Sequence, residues 1–90
     1  MESDYENAMR VLKGMVERSR LRTTGGDALR LITNLGCDEI NDGVDCLEKM
    51  KLVKTERAIN KVFFDFANVT VLPEGYNYYN EHLGKITSME

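Results

Sequence analysis

The chain has 90 residues, 42% of them hydrophobic and 30% charged, with one proline and a formal net charge of −3. That length suits a single domain over 1–90, with a core expected at about 4–83 and a frayed C-terminal tail, and the apolar content argues against disorder. No apolar run reaches the length of a membrane span, the acidic start Met1-Glu2-Ser3-Asp4 is no signal peptide, and the charge balance gives no support to a polyanionic partner; the expected setting is the cytoplasm.

Ser3 with Glu6 three residues later makes a capping-box pattern, and Tyr5, Ala8, Met9, Leu12, Met15 and Val16 recur as one stripe, so a first helix is expected over about 4–19. Leu21 to Thr23 is a short connector with room for one sheet pairing. Thr24 is placed to cap a second helix at about 25–35, whose buried face is Ala28, Leu29, Ile32 and Leu35, and Gly36 follows as its ending glycine. Asp38 is placed to cap a third helix at about 39–50. There Asn41-Asp42-Gly43 is a strong hairpin signal, yet Ile40, Val44 and Leu47 keep helical spacing, and the flanks do not alternate as paired strands require. Helix is the expectation, at a cost of about 1 kcal/mol for Gly43. Leu52 to Thr55, Val62 to Phe66 and Val69 to Leu72 read as strands, with a hairpin tip at 57–61 and a bulge or break at Asn68. Pro73 suits the first turn of a last helix carrying Tyr76, Tyr79 and Leu83, which Gly84 would end.

The second and third helices are thus joined by a three-residue turn, Gly36-Cys37-Asp38. Asp27 to Ile32 and Asn34 to Asp38 form one helix and turn, Val44 to Val53 a helix end running into a strand, and Val69 to Tyr76 a strand opening a final helix. In that order these segments resemble the winged-helix superfamily of DNA-binding domains, over roughly residues 4–83. The resemblance implies an α+β winged helix: a three-helix core with a helix-turn-helix, a two- to three-stranded antiparallel wing and a C-terminal helix. Leu72 stands where many members carry a capping threonine. The resemblance also implies a transcription-regulator-like protein that binds double-stranded DNA, and a homodimer, because terminal helices often pair between subunits in this family.

Charge sets the terms of that expectation. Residues 38–48 contain five acids (Asp38, Glu39, Asp42, Asp45, Glu48) and no base, a face that phosphates repel. Residues 49–61 carry Lys49, Lys51, Lys54, Arg57 and Lys61 against Glu56 alone, and Arg18, Arg20 and Arg22 follow the first helix. DNA contact would therefore be led by the wing, through Arg20, Arg22, Asn41, Lys49, Lys54, Arg57 and Lys61. The alternative is a winged helix that binds only protein. Tyr5, Tyr78, Tyr79 and His82 are the candidates for a dimer interface. Tyr5 and Tyr76 are equally suited to closing the core, whereas adjacent Tyr78 and Tyr79 cannot both face inward on one helix.

An enzyme is not expected. His82 is the single histidine and no nucleophile motif accompanies it. Thr23 to Asp27 lacks the glycine spacing and lysine of a nucleotide loop. Asp38 to Gly43 fails as a calcium loop, with Ile40 at its third position and Lys49 at its twelfth. Cys37 and Cys46 lack zinc-knuckle spacing and read as free thiols, and Asn68-Val69-Thr70 is a chance match to a glycosylation site. No cofactor, metal, membrane or small-molecule ligand is expected.

Overall fold

In the computed structural model, residues 2–18, 23–57 and 63–83 are described. Apolar spacing closes α1 over Glu2–Arg18, with Ala8, Val11, Leu12 and Met15 buried in one stripe and Met9 and Val16 at its margins. Ser3 stands inside this helix, so the expected capping box has no place to form.

The residues expected at the helix ends do other work. Thr24 does not cap: it is buried in strand β1 (Thr23–Gly25), and Gly25 is the N-cap of α2 (Gly26–Thr33). Gly36 does not end α2. Asn34 does, in the left-handed conformation at φ 61°, which asparagine tolerates, and its N–H donates to the Arg30 carbonyl at 2.8 Å. Gly36 instead precedes α3 (Cys37–Lys49), so Asp38 lies in the first turn of that helix, where a carboxylate suits the dipole. Glycine brings no side chain to the cap; the Glu39 carboxylate accepts the Gly36 N–H at 2.9 Å and supplies the only half of a capping box that can exist. The connector between α2 and α3 is still three residues, but they are Asn34-Leu35-Gly36.

Asn41-Asp42-Gly43 lies within α3, as the helical spacing requires, and Ile40, Val44 and Leu47 are buried. Each such side chain contributes about 1.5–3 kcal/mol, so burial of any one outweighs the glycine's helix cost. Gly43 has a second reason to be glycine: a Cβ there would stand 2.9 Å from the carbonyl carbon and oxygen of Asn7. α1 and α3 meet at this point backbone to backbone. α3 then ends in a Schellman motif. Leu52 N–H donates to the Leu47 carbonyl at 3.0 Å and Lys51 N–H to that of Glu48 at 2.9 Å, with Lys51 at φ 64°.

β2 (Val53–Arg57) and β3 (Phe66–Val71) follow, and the sheet is antiparallel in the order β1-β3-β2. Glu56 opposes Asn68 and Arg57 opposes Phe66, which leaves Ala67 as the extra residue of a bulge. Of the strand expected at 62–66, only Phe66 is in the sheet, as the first residue of β3. Phe63 to Asp65 lie outside the sheet, because the segment is held by α3 (below), and Arg57 belongs to a strand and not to the hairpin tip. Residues 58–62 lie outside the described residues. Val53, Val69, Val71 and Thr24 face the core. The opposite face carries Lys54 and Glu56, with Thr23 and Thr70 hydroxyls bonded at 2.8 Å and Asn68 donating to Glu56 at 3.0 Å.

Pro73 opens α4 (Pro73–Tyr78) from Leu72, which provides no side-chain cap, and the chain runs on as a π-helical segment, Tyr79–Leu83. Gly84 and the tail lie outside the described residues. The architecture is α+β, helices packed on one face of a three-stranded antiparallel sheet. Among the described residues no helix is long and apolar enough to cross a membrane.

Gly43→Ala sets two effects against each other. Helix propensity alone favours alanine by about 1 kcal/mol, whereas forcing a methyl into the α1 backbone costs about 1–3 kcal/mol. Chemical denaturation should show a net loss of stability. A gain would mean that the two helices do not touch here.

Candidate nucleic-acid or protein interface on α3 and the wing

The outer side of α3 and the strand β2 border a groove of about 370 Å³. Its floor is Val44 and Phe66, both buried. Asp45 and Glu48 rise from α3, Thr55 and Arg57 from β2, and Asp65 closes one end. Two links hold the groove's shape. Thr55 donates its hydroxyl to Glu48 at 2.9 Å, tying β2 to α3. Asn41 donates its amide to the Phe63 carbonyl at 2.9 Å and accepts the Asp65 N–H at 3.0 Å. This clamp replaces sheet pairing for residues 63–65, and it engages both polar atoms of Asn41 in the fold.

The groove is acidic. Asp45, Glu48 and Asp65 face one cation, Arg57, which has no ion pair within 4.0 Å among the described residues. Lys49 is drawn into the acidic helix as well: its ammonium lies 3.1 Å from Asp45 across one helical turn. The hydrogen bond to Asp45, reinforced by the carboxylate's attraction, raises the Lys49 pKa above its ordinary value. Lys54 is exposed on the opposite face of the sheet, beside Thr70. Arg20, Arg22 and Lys61 lie outside the described residues. Of the seven residues expected to meet DNA, Asn41 and Arg57 are thus brought together at the groove, Lys49 lies on α3 outside it, and all three stand among acids or in internal contacts. Asp65 belongs to this site and was not among the expected residues. Its acidity was plain, but its position depends on a contact spanning 24 residues, which no local pattern carries.

The residues expected at a dimer interface find partners in their own chain. The Tyr5 and Tyr78 hydroxyls are 2.7 Å apart, the Tyr78 ring stacks on His82 with centroids 4.1 Å apart, His82 lies 4.0 Å from Glu81, and Tyr79 donates to Glu17. Tyr78 and Tyr79 are both half-buried, so neither faces fully inward and neither is fully exposed. Tyr5 and Glu17 are 12 residues apart on α1, about 18 Å along its axis, so the two phenols reach in opposite directions along α1. Tyr5, expected to serve the core or an interface, remains 44% exposed, while Tyr76 packs against the core.

The tyrosine pair gives a pH signature. The hydrogen bond with Tyr5, then burial, pushes the Tyr78 pKa from 10.0 up to about 12. Between those values an unfolded chain loses this proton while the folded chain keeps it, so stability should fall as pH rises through that window. Ultraviolet titration of Tyr5→Phe should show Tyr78 ionising nearer 10.0 than in the parent chain; identical titrations would dissolve the pair. Comparison with family models, curated proteins and solved structures finds no match to this chain.

Proposed function

We propose that the chain is a winged-helix-type interaction module that docks a cationic segment of a partner protein on α3 and in the groove beside it. The element order α1-β1-α2-α3-β2-β3-α4, with strand order β1-β3-β2, supports the winged-helix reading. The observation that carries the docking reading is the charge of the surface where such a fold would present a recognition helix. Asp38, Asp42, Asp45, Glu48 and Asp65 are all exposed there, and the nearest cations are either paired (Lys49) or set among carboxylates (Arg57). Duplex DNA binds largely by releasing counterions to Lys and Arg, and this face offers the opposite sign. A lysine- or arginine-bearing segment meets complementary charge and an apolar floor.

Wing-led binding of double-stranded DNA is the second reading. It is favoured by Lys51 and Lys54, exposed and free of ion pairs among the described residues, with Lys51 held at the corner before β2 by its left-handed backbone.

Fluorescence anisotropy separates the two. A labelled arginine-rich peptide should bind, weaken as salt rises, and lose about tenfold in affinity for Asp45→Lys/Glu48→Lys, roughly the 1.4 kcal/mol expected for two lost partly exposed pairs. Any binding of a labelled duplex should be untouched by Lys51→Glu/Lys54→Glu. Duplex binding at low salt that Lys51→Glu/Lys54→Glu abolishes, with no peptide binding, would overturn the docking reading in favour of the wing.

A further inference from the structure

A second groove, of about 330 Å³, lies on another part of the molecule, between α1 and α2. Gly14 creates it. A Cβ at this position would stand 2.6 Å from Ile32 Cγ2, so the helices can approach only because there is none. Ile32 and Thr33 then form a shallow floor, and the Thr33 hydroxyl is spent locally, donating to the Leu29 carbonyl at 2.7 Å and accepting the Leu35 N–H. Around that floor stand Arg10, Lys13 and Arg18, all exposed.

What sets these three cations apart is that they gather around one groove; Lys51, Lys54 and Arg57 are also without an ion pair among the described residues but are spread along β2 and the corner before it. None of the three has an ion pair or hydrogen bond among the described residues. Acids at the right helical spacing exist: Glu6 lies one turn before Arg10 and Glu17 one turn after Lys13, separations that normally pair. Glu17 is engaged elsewhere, because its carboxylate accepts the Tyr79 hydroxyl from the C-terminal π-helical segment. The groove wall therefore carries three cations against one carboxylate that is already hydrogen-bonded. Like charges gathered around a concavity, on a chain whose net charge is −3, make a local positive potential that needs a purpose or a counter-ion.

We propose that the α1–α2 groove binds phosphate groups, with Arg10 and Arg18 offering planar forks and Lys13 a point charge to the same anion. The ligand class is a compound bearing more than one phosphate, which matches three cations spread along the α1 wall above a floor that offers no free polar group. Such phosphates come either from a small polyphosphate or from a nucleic-acid backbone. The site is separate from the α3 groove, and its charge is of the opposite sign.

The test is a calorimetric titration of the whole chain at low salt, with inorganic tripolyphosphate in one arm and a short single-stranded oligonucleotide in the other. Saturable binding in either arm is expected, with about tenfold weaker affinity for Arg10→Gln/Lys13→Gln and no change for Lys54→Gln/Arg57→Gln. Binding in both arms identifies phosphate itself as the ligand; binding of the oligonucleotide alone identifies a backbone source. Tyr79→Phe, which returns Glu17 to Lys13 without touching the groove, should weaken binding by a smaller factor. No saturable binding in either arm, or binding indifferent to Arg10 and Lys13, would overturn the site, and neither result bears on the peptide titration at α3.

Discussion

The contact on which the rest of the molecule depends is the approach of α3 to the backbone of α1 at Gly43. Nothing larger than hydrogen fits between that residue and the Asn7 carbonyl. With the two helices that close, Ala8, Val11, Leu12 and Met15 on one side meet Ile40, Val44 and Leu47 on the other, and this layer makes up half of the buried apolar side chains. The sheet and α2 complete the core around it. Because α3 is fixed in rotation by this contact, its charged residues have one place to go. Asp38, Asp42, Asp45 and Glu48 all point outward, two of them into the groove against β2.

The same geometry divides the surface by charge. The exposed side of α3 carries carboxylates, and the bases nearest its groove are absorbed. Lys49 folds back onto Asp45, and Arg57, on the same side of β2 as Val53 and Thr55, reaches the groove beside α3. Positive charge gathers around a groove elsewhere, on α1 beside α2, where Gly14 repeats on a smaller scale what Gly43 does at the core. The C-terminal helix takes part in this division. Tyr79 holds Glu17 away from the cations, while Tyr78 locks Tyr5 and stacks on His82. Aromatic residues suited to a subunit interface are largely consumed in closing one chain.

Much of this was legible before any coordinates. Ile40, Val44 and Leu47 outvoted Asn41-Asp42-Gly43 because three buried side chains outweigh one poor helix former. The order of elements and Pro73 at the last helix start also follow from local chemistry, and the missing cap at Leu72 from the winged-helix resemblance. What escaped was decided at a distance. Gly36 reads as a helix end, but Asn34 can adopt the left-handed turn itself, which frees Gly36 to start α3. Phe63 and Phe64 have strand propensity, yet the Asn41 amide supplies the hydrogen bonds that a neighbouring strand would have given. Tyr78 and Tyr79 are both half-buried because α1 offers each a partner, Tyr5 and Glu17, far apart along its axis, a fact about helix crossing and not about spacing. In the site, the acidity of α3 could be read directly, whereas the recruitment of Asp65 and the release of Arg10 and Lys13 from their helical partners could not.

Native-state hydrogen exchange tests the α1–α3 contact most directly. If the two helices form one cooperative unit, the amides of Leu12, Val44 and Leu47 exchange only through global unfolding, with a common free energy equal to that from denaturant. Exchange of the α3 amides through a cheaper opening, while those of α1 stay protected, would show that the helices are not joined at Gly43 and that the acidic face is not held in place.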